Sequence, residues 1–284
     1  MQQTLIAPTI DAHWVVAQVQ AGQSPEDVVR PLLAQGWNEA DAIAAVEQAL
    51  NAYVSDRERV NGLPCAVAVP APVQWNGPAR LAAVDRDVDV LAHLVYPPIV
   101  VFGNLLAQDE CEALVELARG RVTRSTTVDL DTGGDHVHEA RTSEGMYFRR
   151  GETALCMRIE ARLAALTGWP IENGEGLQVL RYGVGAEYRP HHDYFPPEER
   201  GTGAILARGG QRVASIVMYL NTPARGGATV FPEAHFQVSA VRGNAVFFSY
   251  DRPHPVTRSL HGGAPVLEGE KWIATKWLRE RAHV

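Results

Sequence analysis

The segment Tyr188-Arg-Pro-His191-His192-Asp193 carries a histidine and a carboxylate two residues apart. Side chains of an extended segment alternate between faces, so His191 and Asp193 point one way and His192 the other. Such a pair can grip one metal ion, and a third ligand has to come from a distant strand. Two downstream segments offer metal-ligating types, Arg252-Pro-His254 and Ser259-Leu-His261-Gly-Gly. Two imidazoles and one carboxylate on one face of an octahedron leave three positions open, the arrangement associated with non-haem Fe(II) oxygenases. An H-x-D pair alone is common by chance, so the surrounding pattern has to carry the reading. Lysine usage adds one feature. Among 26 basic residues only Lys271 and Lys276 are lysines, and both stand in KWIATKW.

The elements that would position these residues are short. After Gly168 the chain runs through LQVLRY, SIVMYL, ATVF, AVFFSY, HPVTRSL and KWIATKWL, apolar or alternating stretches separated by turn residues. Strands so spaced, following helices, read as a sandwich or jelly roll. Upstream, PPIVVFGNLLAQDECEALVELA reads as a strand and then a helix burying Ala113, Leu114, Leu117 and Ala118, and a second helix covers 154–166.

Residues 1–60 read as a small helical unit. Ser24-Pro25-Glu26-Asp27 supplies an N-cap, a first-turn proline and two acids; Gly36 suits a helix C-terminus; Asn38 caps a third helix with Ala42, Ile43, Val46, Ala49, Leu50 and Tyr53 on one face. The unit loosely resembles ubiquitin-associated three-helix bundles. Its acidic residues account for most of the chain's net charge of −7. Residues 61–96, rich in Pro and Gly at their start, read as a linker, and 97–284 as the main domain.

Composition sets outer bounds. With 284 residues, 46% hydrophobic and 21% charged, the chain is that of a globular protein. No window reaches the ~18 apolar residues of a membrane span, and the first residues lack a basic, then apolar, leader. No membrane association is expected, and a cytoplasmic location is. Three scattered cysteines, Cys65, Cys111 and Cys156, suit a reducing compartment. Net negative charge argues against non-specific nucleic-acid binding.

LQVLRYGVGAEYRPHHDYF, RVASIVMYLNTPARGGATVFP and SLHGGAPVLEGEKWIATKW resemble the prolyl 4-hydroxylase branch of the Fe(II)- and 2-oxoglutarate-dependent dioxygenases, over roughly 97–284. The resemblance implies an α+β protein whose catalytic domain is a double-stranded β-helix, a distorted jelly roll, with supporting helices and a small N-terminal helical unit in front. It implies that His191, Asp193 and His261 hold the iron, and that Lys271 pairs with the distal carboxylate of 2-oxoglutarate. Strand parity agrees: Lys271, Ile273, Thr275 and Trp277 share one face and Lys276 takes the other. A buried ammonium is costly unless an anion meets it. Tyr182 and Thr229 match positions whose hydroxyls bind the cosubstrate, and Arg212, Trp277 and Tyr188 match substrate-facing positions. His192 and His254 read as surface or supporting histidines, and Trp277 serves equally as a pocket wall.

The implied reaction is that of procollagen-proline 4-dioxygenase-like enzymes. Dioxygen and 2-oxoglutarate are consumed, succinate and carbon dioxide released, and a C–H bond hydroxylated, with ascorbate as reductant. A carboxylate at Asp193 favours hydroxylation over halogenation. The expected substrate is a prolyl residue in a peptide or protein, clamped by the polar loops 129–141 and 196–210. A homodimer is compatible with the resemblance. Two other readings are a hydroxylase of a free amino acid or other small molecule, and a non-catalytic binding protein recruited through the N-terminal helices.

Overall fold

The computed structural model describes residues 10–74, 77–125, 127–128, 135–136 and 142–284. The chain divides into two compact units, Met1–Ala66 and Val67–Val284. No helix among the described residues is long and apolar enough to cross a membrane.

The first unit contains α1 (Ala12–Gln20), α2 (Pro25–Ala34) and α3 (Glu39–Val60). Each begins at a side-chain cap. Asp11 accepts from the His13 amide, Ser24 from the Asp27 amide and Asn38 from the Asp41 amide, satisfying donors that a helix start leaves open. The helices bury a core of Val15, Val28, Leu32, Ala42, Val46 and Ala49. Ile43, placed on the inner face by the sequence pattern, is exposed instead, because the three- and four-residue steps through Ala42, Val46 and Ala49 set the seam.

In the second unit the strands are β1 (Arg80–Ala83), β2 (Arg86–Leu94), β3 (Ile99–Gly103), β4 (Thr123–Arg124), β5 (Thr127–Val128), β6 (Asp135–His136), β7 (Glu144–Phe148), β8 (Leu177–Tyr182) and β9 (Tyr188–His191). They continue with β10 (Arg212–Tyr219), β11 (Arg225–Gly226), β12 (Thr229–Phe231), β13 (Phe236–Val238), β14 (Ala245–Ser249), β15 (His261–Gly263), β16 (Val266–Glu268) and β17 (Lys271–Arg279). Helices α4 (Gln108–Arg119), α5 (Ala154–Thr167) and α6 (Thr202–Ala207) are interspersed.

The long sheet has the order β1-β2-β3-β14-β10-β17-β8-β7-β4 and the short one β13-β12-β15-β9, and the pairs in both are antiparallel. This is a jelly roll backed by helices. One face of the long sheet, with Tyr182, Val217, Tyr219, Phe248 and Ile273, meets Phe231 and Val238 of the short sheet. Its other face, with Val179, Ile216, Phe247, Trp272 and Ala274, packs on Cys111 and Leu114 of α4 and on Cys156, Ile159 and Leu163 of α5. β17 therefore alternates between two cores and is buried along its whole length.

Helix α5 starts at Thr153, whose hydroxyl accepts from the Cys156 amide, and stops at Gly168 in a left-handed conformation. Along α4 the buried apolar residues are Cys111, Leu114 and Ala118, while Leu117 is exposed, so the stripe is rotated from the predicted one.

Two sequence readings need correction. Residues 61–96 are not a free linker, since β1 and β2 lie at the edge of the long sheet. Ahead of them Val67, Val69 and Val73 pack on the helix-side core, and the Val67 amide donates to the Asp251 carbonyl at 2.8 Å. The Pro- and Gly-rich segment lacks periodicity because it runs extended over a core instead of forming an amphipathic element. The segment 196–210 is not loop throughout, since it contains α6 (Thr202–Ala207), and the loop 129–141 falls largely outside the described residues.

A chain starting at Val67 should melt at a temperature close to that of the second unit in the full protein. One starting at Arg80 loses three half-buried valines and should be less stable by about 2–4 kcal/mol. Calorimetric melting of the two truncated chains checks the boundary.

Candidate active site

Strand pairing builds the site. β9 runs antiparallel to β15 with His191 and His261 as register partners, so two imidazoles from distant sequence become cross-strand neighbours, their ring centroids 4.4 Å apart. Asp193 follows two residues after His191. One ligand atom from each of His191, Asp193 and His261 lies within 4.8 Å of the others. Gly262 permits the close strand approach, because a β-carbon there would sit 2.8 Å from the Tyr188 carbonyl oxygen.

Both imidazoles are oriented by their own backbone. His191 Nδ1 is 2.9 Å from the Arg189 carbonyl and His261 Nδ1 is 3.0 Å from the Ser259 carbonyl. A carbonyl only accepts, so each Nδ1 carries a proton, and Nε2 is the ring nitrogen left for a metal. The Nε2 atoms of His191 and His261 each lie 3.5 Å from an oxygen of Asp193. Burial pushes the His261 imidazole down to about 4, keeping it neutral and able to ligate. Burial alone would raise the Asp193 carboxyl, but His261, His191 and Arg212 hold it well below the usual carboxylate range. Two imidazoles and an ionised carboxylate, converging with each Nδ1 hydrogen-bonded to the backbone, fit an Fe(II) ion.

The remaining histidines are elsewhere. His192 turns from the cluster and stacks on Tyr194, with ring centroids 4.6 Å apart. His254 Nδ1 accepts from the Val256 amide at the start of a short 3-10 turn.

A cavity open to solvent adjoins the triad. Tyr182, Tyr188, Thr229, Lys271, Thr275 and Trp277 line it together with the triad. Lys271 is the register partner of Tyr182 across β17 and β8, and its ammonium lies 5.4 Å from the Tyr182 ring centroid and 5.9 Å from that of Tyr219. Burial lowers it to about 8. Gly227, at φ +73°, leaves room for the Lys271 stem, since a β-carbon would stand 3.1 Å from Cδ. A buried cation in the same cavity as a metal-ligand cluster fits a cosubstrate with a carboxylate at each end. Lys276, on the opposite face, has an ion partner in Glu160 at 2.6 Å.

Tyr188 stacks on His191 at 3.6 Å between centroids and Trp277 forms another wall. Arg212 does not line the cavity. It lies 4.0 Å above the Trp277 ring centroid and grips Glu175 through Nε at 2.7 Å and Nη2 at 2.9 Å. The sequence reading had Arg212 facing the substrate, and it did not supply Glu175, whose carboxylate occupies the guanidinium. It also missed Tyr219, whose hydroxyl donates to Thr229 Oγ1 at 2.8 Å, and Ser215, whose hydroxyl donates to Asp193 Oδ2 at 2.6 Å. The alternation in SIVMYL puts Ser215, Val217 and Tyr219 on one face, and that was the available signal.

The 2OG-Fe(II) oxygenase superfamily model matches residues 177–279, which span the triad and Lys271. The chain is similar to prolyl 4-hydroxylase 5 of Arabidopsis thaliana, 42% identical over 215 residues covering 68% of this chain and 72% of that protein. Prolyl 4-hydroxylase 1 of the same plant is 41% identical over 204 residues, covering 66% and 70%. Among solved structures, the viral collagen prolyl hydroxylase of Paramecium Bursaria Chlorella virus-1 is 26% identical, with a TM-score of 0.49, covering 64% of this chain and 95% of that one. The chain belongs to the 2-oxoglutarate- and Fe(II)-dependent oxygenases, in their prolyl 4-hydroxylase-like branch. It is thus a dioxygenase that uses Fe(II) and 2-oxoglutarate.

Removing one partner of a buried ion pair leaves the other uncompensated. Glu175→Gln should therefore destabilise the protein by about 3–5 kcal/mol, and adding Arg212→Met should recover part of that loss. Chemical denaturation of the parent, both single variants and the double variant checks this.

Proposed function

We propose that this enzyme hydroxylates prolyl residues in a peptide or protein. In this reading His191, Asp193 and His261 hold Fe(II), Lys271 holds the distal carboxylate of 2-oxoglutarate, and the Tyr182 and Thr229 hydroxyls assist. The observation that carries it is the buried Lys271 ammonium in the same cavity as the triad. With iron and 2-oxoglutarate bound, the centre supplies oxidative decarboxylation to succinate and carbon dioxide, with one atom of dioxygen going to the substrate C–H bond. The protein's part is to orient and to exclude water.

Tyr188 and Trp277 offer aromatic walls to an apolar ring. Among the described residues, the lining contains one acidic side chain, Asp193, and one lysine or arginine, Lys271. A free amino acid would leave its ammonium and carboxylate without dedicated partners, which favours a residue within a chain. Ascorbate as reductant and a cytoplasmic location belong to the same proposal, supported by the family and by the unpaired cysteines Cys65, Cys111 and Cys156.

With Fe(II), 2-oxoglutarate and proline-containing peptides, succinate should form one-to-one with peptide gaining a single oxygen on proline. Succinate coupled to free proline and not to any peptide would establish the small-molecule reading.

Lys271→Ala should weaken 2-oxoglutarate binding roughly ten- to a hundred-fold, the value of a charge-assisted contact, while metal affinity stays near parental. Lys271→Arg should not restore it, because a longer planar guanidinium crowds the cavity. Anaerobic titration of the Fe(II) protein measures both.

The same titration should depend on pH. The ammonium form binds the dianion and is lost as pH rises through about 8. Affinity should thus be level below that pH and fall about tenfold per unit above it, and Lys271→Ala should abolish that slope.

A further inference from the structure

Asp193 Oδ1 lies 3.5 Å from His191 Nε2 and Oδ2 3.5 Å from His261 Nε2, and the two oxygens differ in that Oδ2 also accepts from a hydroxyl. Oδ2 accepts a hydrogen bond from the Ser215 hydroxyl at 2.6 Å, within a site where Ser215 has no exposure to solvent. Ser215 Oγ is in turn 2.9 Å from the hydroxyl of Tyr250, which is also buried. Ser215 has one hydroxyl proton. The carboxylate can only accept, so that proton points to Asp193, and Tyr250 must donate its own to Ser215. The chain Tyr250 to Ser215 to Asp193 is therefore ordered in one direction. Burial, and after it the charge of Asp193, keep the Tyr250 phenol well above its ordinary value, so it remains a donor.

The three residues come from separate elements. Ser215 is in the middle of β10 on the face that also carries Val217 and Tyr219, Tyr250 follows β14, and Asp193 follows β9. Ser215 is the register partner of Phe248, which packs on His261 with ring centroids 4.4 Å apart. The face that steadies one imidazole thus also steadies the carboxylate.

We propose that Ser215 and Tyr250 are positioning residues that occupy Asp193 Oδ2 and so present the carboxylate to the iron through Oδ1 alone. This rests on the reading of His191, Asp193 and His261 as the iron ligands. The consequence is one of coordination count. Two imidazoles and one carboxylate oxygen leave three positions of an octahedron open, whereas a carboxylate free to bind through both oxygens takes one of them. Hydrogen bonds of this kind to metal ligands are typically worth 10- to 100-fold in metal affinity or activity.

Ser215→Ala, Ser215→Thr and Tyr250→Phe in the full-length protein, titrated with Co(II) without substrate, test the assignment. Affinity is read from the titration and coordination number from the visible absorption of the bound Co(II). For Ser215→Ala we expect Co(II) affinity to fall about 10- to 100-fold or the absorption to change in shape and intensity, with melting temperature near parental. Ser215→Thr, which keeps the hydroxyl, should restore both affinity and spectrum. Tyr250→Phe should shift them in the same direction by several-fold. If Ser215→Ala does not fold, the Tyr250→Phe titration decides by itself. Parental affinity and spectrum in Ser215→Ala, or in Tyr250→Phe in that event, overturn the proposal. Failure of the parent to bind Co(II) with all three ligands overturns the metal-centre reading instead.

Discussion

Every residue of β17 is buried, so a charge on either of its faces depends on what packs or opens against it. That constraint organises the rest of the second unit. The strand carries both lysines of the chain on opposite faces, and the protein treats them in opposite ways. Lys276 meets Glu160 of α5 at 2.6 Å, inside the layer between the long sheet and the helices. Lys271 has two aromatic rings nearby and a cavity in front of it. Desolvation is the cost in both cases, and an internal carboxylate offsets it only for Lys276. Among the described residues no carboxylate is shown paired with Lys271, and that is the basis for proposing an anionic cosubstrate there.

The metal-ligand cluster depends on a different part of the fold. Its histidines are adjacent because two short strands pair, and Gly262 lets those strands come close enough. The short sheet supplies the imidazoles while the long sheet supplies Lys271, Ser215 and Tyr219, so the cavity lies where the two sheets face each other. Beside it, Glu175, Arg212 and Trp277 form a rigid border in which each side chain is held by another. A preorganised border of this kind spares the enzyme from ordering those groups during turnover.

Much of this was legible in the residues. Strand alternation separated His191 and Asp193 from His192 and placed Lys271 with Trp277, because the two-residue period of a strand is a local property of the backbone. Caps at Ser24 and Asn38 are likewise local, each settled by hydrogen bonds within three residues. The choice of His261 over His254 came from the family resemblance, since residue type alone favours neither.

Other features required the tertiary structure. That 67–94 belongs to the folded second unit depends on valines packing on the helix-side core, contacts for which a Pro- and Gly-rich stretch shows no period. The pairing of Arg212 with Glu175, and of Ser215 with Asp193 and Tyr250, joins residues far apart in sequence through side chains whose types are common everywhere. The fate of the two lysines is the clearest case. The sequence by itself determined that they point to opposite faces of one strand, because parity is local. Only the tertiary structure decided that one of those faces closes on a glutamate and the other on an open cavity, because the partner of a buried charge is chosen by packing between elements.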